Sequence, residues 1–214
     1  NNPASSEGIF VFDENEAFIA PAVGDVVYVS GSVSEFFGNT QITLSSAPLV
    51  CGNYTVEPTE FSLPVTSSAD LESLEGMFVK NAEELTVTNN FTLGRFGEVT
   101  LSNGRIFNPN NITLPGSAEN AEVAANNALN RILLDDANSA QNPEILPYPA
   151  GGLSANNTLR TGYTVSSVEG VVDYSFSEYR VIPTVTPTIV ETNARTSAPD
   201  LVLGNLTVAS LNVL

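Results

Sequence analysis

The chain has 214 residues, of which 7 are basic and 24 are acidic, and its formal net charge is −17. It contains no histidine, so any chemistry must work without imidazole as a general base or metal ligand. Its one lysine and few arginines exclude a broad basic face for duplex nucleic acid, and its single cysteine, Cys51, excludes an internal disulfide.

Short strand patterns follow one another along the chain. They are rich in β-branched residues and are separated by clusters of Asn, Gly, Pro and Ser. Strands are predicted at residues 8–12, 24–33, 40–44, 76–79, 84–88, 97–101, 105–107, 131–134, 163–172 and 179–182. This succession predicts an all-β barrel or sandwich.

One segment has the spacing of a short amphipathic helix. Ser117 is suited to cap it, and Glu119 and Glu122 fall in its first turn. We expect the helix to close one end of a barrel with a stripe of small apolar residues, Ala121, Ala124, Ala125, Ala128 and Leu129. The following stretch, residues 137–159, is predicted to be a loop that is either functional or ordered by its own packing.

An internal repeat divides the chain. Residues 9–15 resemble residues 132–138, and residues 31–42 resemble residues 170–181, with the same spacing from glycine to aliphatic residue. We therefore predict a partial unit in residues 1–65 and a complete unit in residues 66–190. The strands that should precede the first copy are expected to be absent or to lie upstream. Residues 191–214 are predicted to form a linker and the first strand of a further domain.

A long strand bent at glycine, with one short helix, is the pattern of the oligonucleotide/oligosaccharide-binding (OB) fold. Residues 6–12, 23–27, 31–36, 74–77 and 90–99 resemble the OB-like region of large secreted bacterial endonucleases, which carry a C-terminal endonuclease/exonuclease/phosphatase catalytic domain. The resemblance implies an OB-fold-like Greek-key antiparallel barrel with a partial second OB-like unit. It also implies a secreted, extracellular protein in which this chain is a non-catalytic accessory region, binding nucleic acid or positioning the catalytic domain in cis.

The C-terminal residues 206–214 resemble the first strand of that catalytic domain, where the residue matching Asn212 helps to position a divalent metal. The resemblance implies Mg²⁺ or Ca²⁺ for the parent catalytic domain and no cofactor for this chain. An apolar terminal strand of the visible domain is the alternative interpretation of these residues.

Aromatic and basic side chains suggest weak contact with single-stranded DNA or RNA, led by base stacking. The aromatic residues occur in corresponding turns of the two copies, although turn packing is the alternative explanation for them. The candidate residues are Arg95, Arg105, Arg180, Tyr174, Tyr179, Phe36 and Phe37. A structural or interaction spacer without nucleic-acid affinity, or an oligosaccharide-binding module, remains a competing function.

Acidic turns give a second candidate site. Asp13, Asp135 and Asp136 offer the hard oxygen ligands that Ca²⁺ prefers, although solvated turns have the same composition. No run of about 18 apolar residues predicts a membrane span. An incomplete first unit would leave an open strand edge, for which we predict pairing with another chain or with its own upstream strands.

Overall fold

The structure, a computed structural model, describes residues 5–210 and is mostly β, as the sequence predicts. The strands are β1 (Phe10–Phe12), β2 (Asp25–Tyr28), β3 (Gly31–Phe36), β4 (Asn39–Leu44), β5 (Leu49–Asn53), β6 (Thr59–Phe61), β7 (Phe78–Asn81), β8 (Leu85–Asn89), β9 (Val99–Ser102), β10 (Ile132–Leu134), β11 (Thr164–Ser166), β12 (Glu169–Ser175), β13 (Glu178–Pro183) and β14 (Thr188–Val190). The helices are α1 (Ser68–Glu72), α2 (Leu93–Phe96) and α3 (Ala118–Leu129), with one 3-10 turn at Pro109–Asn111.

Two bent segments close the larger sheet into a ring. β7 and β8 follow each other directly, as do β11 and β12, and the two segments run antiparallel with Lys80 opposite Glu169 and Thr86 opposite Thr164. The Asn81 N–H bridges the break by donating to the Val168 carbonyl at 2.8 Å. From β8 the sheet continues through β9, β10 and β13 and returns to β12. We call this five-segment ring the barrel.

The barrel is not purely antiparallel, which corrects the expectation from the sequence. β10 and β13 run parallel, with Leu133 opposite Arg180, while the other four junctions of the ring are antiparallel. Outside the ring, β14 pairs with β11 and β6 pairs in parallel with β7. The apolar core fills the ring and includes Val79, Leu85, Val87, Val99, Leu101, Leu134, Val165, Val172 and Val181.

The first unit, β1–β5, repeats part of the barrel in the same register. β1 runs parallel to β4 with Phe10 opposite Gln41, just as β10 runs parallel to β13 with Leu133 opposite Arg180. β3 pairs with β4, beginning with Gly31 opposite Leu44, as β12 pairs with β13. β2 pairs with β5 in the first unit, as β11 pairs with β14 in the second. The repeated sequence therefore forms the same strand pairings twice.

Helix α3 lies where the sequence predicts it, with the Ser117 hydroxyl accepting from the Asn120 N–H at 3.1 Å. Its alanine stripe is nevertheless exposed, and no residue of the helix is buried. The half-buried face carries Val123 and Asn127 instead, and the Asn127 amide donates to the Phe107 carbonyl at 2.8 Å. The expectation that the alanines close the barrel end is wrong, because methyl groups offer little area to bury and a polar anchor orients the helix.

Two other expectations are refined. Residues 105–107 form a loop rather than a strand, and the strand expected over residues 163–172 is broken between β11 and β12 at Ser167, whose φ is 59°. The long loop over residues 137–159 is ordered by its own packing, since Leu146, Tyr148 and Leu159 are buried.

Asparagine amides tie separate segments together. The Asn81 amide donates to the Phe61 carbonyl at 3.1 Å, that of Asn103 to the Leu63 carbonyl at 2.7 Å, and that of Asn90 to the Leu159 carbonyl at 2.6 Å. Asn39, Asn130, Asn157 and Asn193 make similar bonds to backbone carbonyls. Among residues 5–210, no helix is long and apolar enough to cross a membrane.

Candidate functional site

Arg180 is buried among three acidic side chains, Glu98, Asp135 and Asp173, which we call the acidic cage. Its side chain is 5% exposed. It forms ion pairs with Asp135 and with Glu98, the latter at 3.2 Å, lies 4.0 Å from Asp173 and donates to the Ser175 carbonyl at 2.7 Å. The parallel pairing of β10 with β13 places Asp135 beside it. Arg180 is therefore not available to a phosphate, which removes it from the expected nucleic-acid contacts.

Asp135 is likewise occupied, which corrects its assignment as a metal ligand. One carboxylate oxygen binds Arg180 and the other accepts from the Ala137 N–H at 2.7 Å. Asp13 and Asp136 act as turn residues, accepting from the backbone N–H groups of Phe18 at 2.8 Å and Asn138 at 2.9 Å. In residues 5–210 no group of three or more acidic or cysteine side chains is arranged to hold a metal ion. Asn212 lies outside the described residues.

Tyr174 lies at the junction between the first unit and the barrel, and Tyr179 packs behind it. Their rings pack against each other with centroids 4.7 Å apart, and the Tyr179 hydroxyl donates to the Glu72 carboxylate. A Cβ atom at Gly38, in the β3–β4 turn, would lie 2.7 Å from the Tyr174 ring, so only glycine allows this turn to approach. Both tyrosines are half-buried, and Tyr174 is covered by the first unit on one side.

Asn39 and Glu75 complete the same junction, and the sequence patterns did not single them out. The Asn39 amide donates to Asp173 at 2.9 Å, and the Thr40 N–H donates to Glu75 at 2.9 Å. Glu75 is buried, and its second carboxylate oxygen has no hydrogen-bond partner. Burial raises the pKa of Glu75 above its ordinary value of 4.5, and the nearby carboxylates add to this shift. The junction therefore holds a carboxyl group that binds its proton more tightly in the folded chain than in the unfolded chain.

Replacing Glu75 with glutamine is expected to flatten the pH dependence of stability. Because the folded pKa is raised, the folded chain holds a proton that the unfolded chain has lost, so stability falls as the pH rises from 4.5 through the folded pKa. Glu75→Gln removes this titration while keeping an oxygen for the Thr40 N–H. Urea unfolding at a series of pH values measures the slope.

The exposed Glu60→Gln variant, which removes one carboxylate without altering the junction, serves as the control and should keep the original slope. An unchanged slope in Glu75→Gln would show that Glu75 does not titrate as the structure indicates.

The aromatic turns are exposed in both units. Phe36 and Phe37 pack edge to face with centroids 4.8 Å apart, and Phe37 is 84% exposed. In the barrel, Phe176 occupies the equivalent turn and lies over Arg180, with the guanidinium 5.6 Å from its ring centroid. Phe37 and Phe176 both have positive φ, 51° and 53°, so the two turns share one backbone conformation. These rings are available for contact, but the charge beside Phe176 is already neutralised.

Arg95 and Arg105 are exposed, each beside an aromatic ring. Arg95 lies 4.9 Å from the Phe96 ring centroid and donates to Gln141 at 3.0 Å. Arg105 lies 5.0 Å from the Phe107 ring centroid. Arg95 belongs to the connection between β8 and β9, and Arg105 follows β9. Both arginines are therefore exposed, and their contact with single strands stays a prediction.

The remaining basic residues are dispersed. Lys80 lies 3.9 Å from Glu169, Arg131 lies 2.6 Å from Glu178, and Arg160 donates to the Asn193 carbonyl at 2.8 Å. Arg195 is exposed in the segment after β14. The outward side of β9 is also covered, since Thr100 and Ser102 are buried. The barrel therefore presents neither a continuous basic stripe nor an open face on β9.

A groove of about 430 Å³ runs between the loop after β10 and the end of β13. Asp136 and Tyr148 are the ionisable side chains among its lining residues, and burial raises the pKa of both. The groove therefore offers no cation for an anionic ligand.

The model of one protein family, described as domain of unknown function DUF8508, matches residues 50–193. The chain belongs to the DUF8508 family. No curated protein and no solved structure matches the chain. The DUF8508 match extends from β5 past β14 and so includes the whole barrel, whereas β1–β4 lie outside it.

Proposed function

We propose that this DUF8508 chain is the non-catalytic, domain-positioning region of a secreted, metal-dependent nuclease, and that its barrel is OB-like. The OB proposal is supported by the five-segment ring, in which one bent strand pairs at both ends. The nuclease proposal is supported by the motif resemblance in residues 6–12, 31–36, 74–77 and 90–99.

One observation favours positioning over nucleic-acid binding. Arg180, the cation nearest to the exposed turn of Phe176, is enclosed by Glu98, Asp135 and Asp173. Binding of a polyanion needs unpaired cations, because affinity comes largely from neutralising phosphates. The junction built by Asn39, Glu75 and Tyr174 instead holds the first unit in a fixed place, as a positioning role requires.

A second, weaker function is supported by the exposed loop arginines. Arg95 and Arg105 each lie beside an aromatic ring, and stacking contributes about 1 to 3 kcal/mol per base in proteins that bind single strands. Contact of this kind would occur with single-stranded DNA or RNA and would weaken steeply with salt.

Fluorescence anisotropy with a labelled single-stranded oligonucleotide separates the two functions. At low salt, with and without Mg²⁺, we expect no saturable binding up to about 100 μM protein, because non-specific affinity depends on neutralising several phosphates and the chain carries 7 basic against 24 acidic side chains. Saturable binding within that concentration range, lost in Arg95→Ala and retained in Arg131→Ala, would replace positioning with nucleic-acid binding. Arg131 is the matched control because Glu178 already neutralises it.

A further inference from the structure

The first unit exposes the residues that form the core of the barrel. Val33 is 68% exposed, whereas its repeat partner Val172 is 1% exposed. Val26 is 44% exposed, whereas Val165 is fully buried. The same contrast holds for Ile9 and Val11 against Ile132 and Leu134. Because the strand register is the same in both units, these exposed side chains mark a half-barrel whose inner face is open.

The barrel itself shows what covers this face. β7 pairs with β12, β8 with β11 and β9 with β10, all antiparallel. The equivalents of β12, β11 and β10 in the first unit are β3, β2 and β1. The edges of β3, β2 and β1 that correspond to these pairings carry no strand partner among residues 5–210. β3 is exposed along all six residues.

We propose that the open half-barrel is a docking surface for one β-segment of the β7–β9 type, supplied by the same polypeptide on the N-terminal side of β1. The covering strands of the barrel precede β10 in the chain, with helix α3 between β9 and β10, so the repeat places the corresponding segment before β1. In this segment apolar residues alternate with polar ones along each strand, as Leu85 and Val87 alternate with their neighbours in β8. The strands of the segment pair antiparallel with β3, β2 and β1.

The side chains on the open inner face of the half-barrel resemble those that β7–β9 cover in the barrel. Val26 and Val33 are identical to Val165 and Val172, and Ile42 stands where the barrel has Val181. A segment shaped to cover the barrel residues therefore meets similar volumes in the first unit. Exposed apolar faces beside free strand edges are otherwise sites of unwanted association. The inference goes beyond the positioning role and stands if that role fails, because it rests on the exposed half-barrel alone.

A fusion protein tests the proposal. A second copy of residues 66–130 is placed ahead of Gly8 in the chain, replacing residues 1–7. Gly8 is retained because a Cβ there would overlap the Gly76 backbone. Relative to the parent chain, we expect amide exchange in β1 and β3 to slow by about 100-fold and fluorescence of a hydrophobic-surface dye to fall several-fold.

A matched fusion carries Val87→Asp and Leu101→Asp in the added copy alone, and should exchange as fast as the parent chain. Exchange in the original barrel is the internal standard for folding. Unchanged exchange in β1 and β3, or a fusion whose original barrel loses protection, would overturn the proposal. A parent chain that sediments as a dimer with β1 and β3 already protected would also overturn it, since the occupant would then be a second copy.

Discussion

Replacing Arg180 with leucine is expected to lower the free energy of unfolding by about 3 to 5 kcal/mol. The substitution removes the cation between Asp135 and Glu98 and leaves Asp135 as an unpaired carboxylate, 7% exposed. It also leaves the Ser175 carbonyl without its donor. Urea unfolding followed by circular dichroism measures the change, and most of the loss should be recovered in the double variant Arg180→Leu with Asp135→Leu.

Arg131→Ala is the matched control, because Arg131 precedes β10 and forms an ion pair with Glu178 at the start of β13. Both members of that pair are about 40% exposed, so its loss should cost about 0 to 1 kcal/mol. Equal losses for Arg180→Leu and Arg131→Ala would mean that the acidic cage is hydrated, contrary to the burial described above.

Replacing Gly170 with alanine is expected to destabilise the barrel by about 3 kcal/mol, the upper end of the usual cost of overpacking. A methyl group at Gly170 would overlap the Ile182 carbonyl oxygen on the neighbouring strand β13. The overlapping atom belongs to the backbone, so relief requires β12 and β13 to separate. The midpoint of urea unfolding measures the effect.

The repeat supplies a paired comparison for Gly170. Gly31 makes the same close approach to the Thr43 carbonyl in the first unit, so Gly31→Ala should loosen β3 while leaving barrel unfolding unchanged. Gly52, a strand glycine with no neighbour within 4 Å of its added Cβ, should tolerate alanine within about 0.5 kcal/mol. Barrel stability that responds equally to the substitutions at Gly170 and Gly52 would contradict the close approach.

Features with local causes could be predicted from the sequence. The Ser117 cap, most strands and the repeated β-strand units follow from side-chain chemistry and spacing within a few residues. The register of the two copies was implicit in the spacing from Gly31 and Gly170, because a glycine that permits close strand approach fixes the pairing around it.

Features that depend on distant partners could not be predicted. Arg180 has the appearance of a surface cation in a strand next to an aromatic turn, and only the parallel pairing with β10 brings Asp135 to it. The burial of Glu75 depends on docking of the first unit at Thr40, which lies far away in the sequence. The alanines of α3 show the limit of periodicity, since helical spacing identifies a stripe but not whether another surface covers it.

The asparagine amides that join Phe61, Leu63 and Leu159 to the barrel have a consequence for the environments that the chain tolerates. These bonds are formed between uncharged groups, so dissolved ions do not screen them as they screen ion pairs at the surface. Added salt instead relieves the mutual repulsion of 24 acidic side chains. Concentrated salt therefore leaves the internal asparagine hydrogen bonds of this protein intact and weakens the repulsion between its surface carboxylates. Dilution leaves the same hydrogen bonds in place but restores that repulsion.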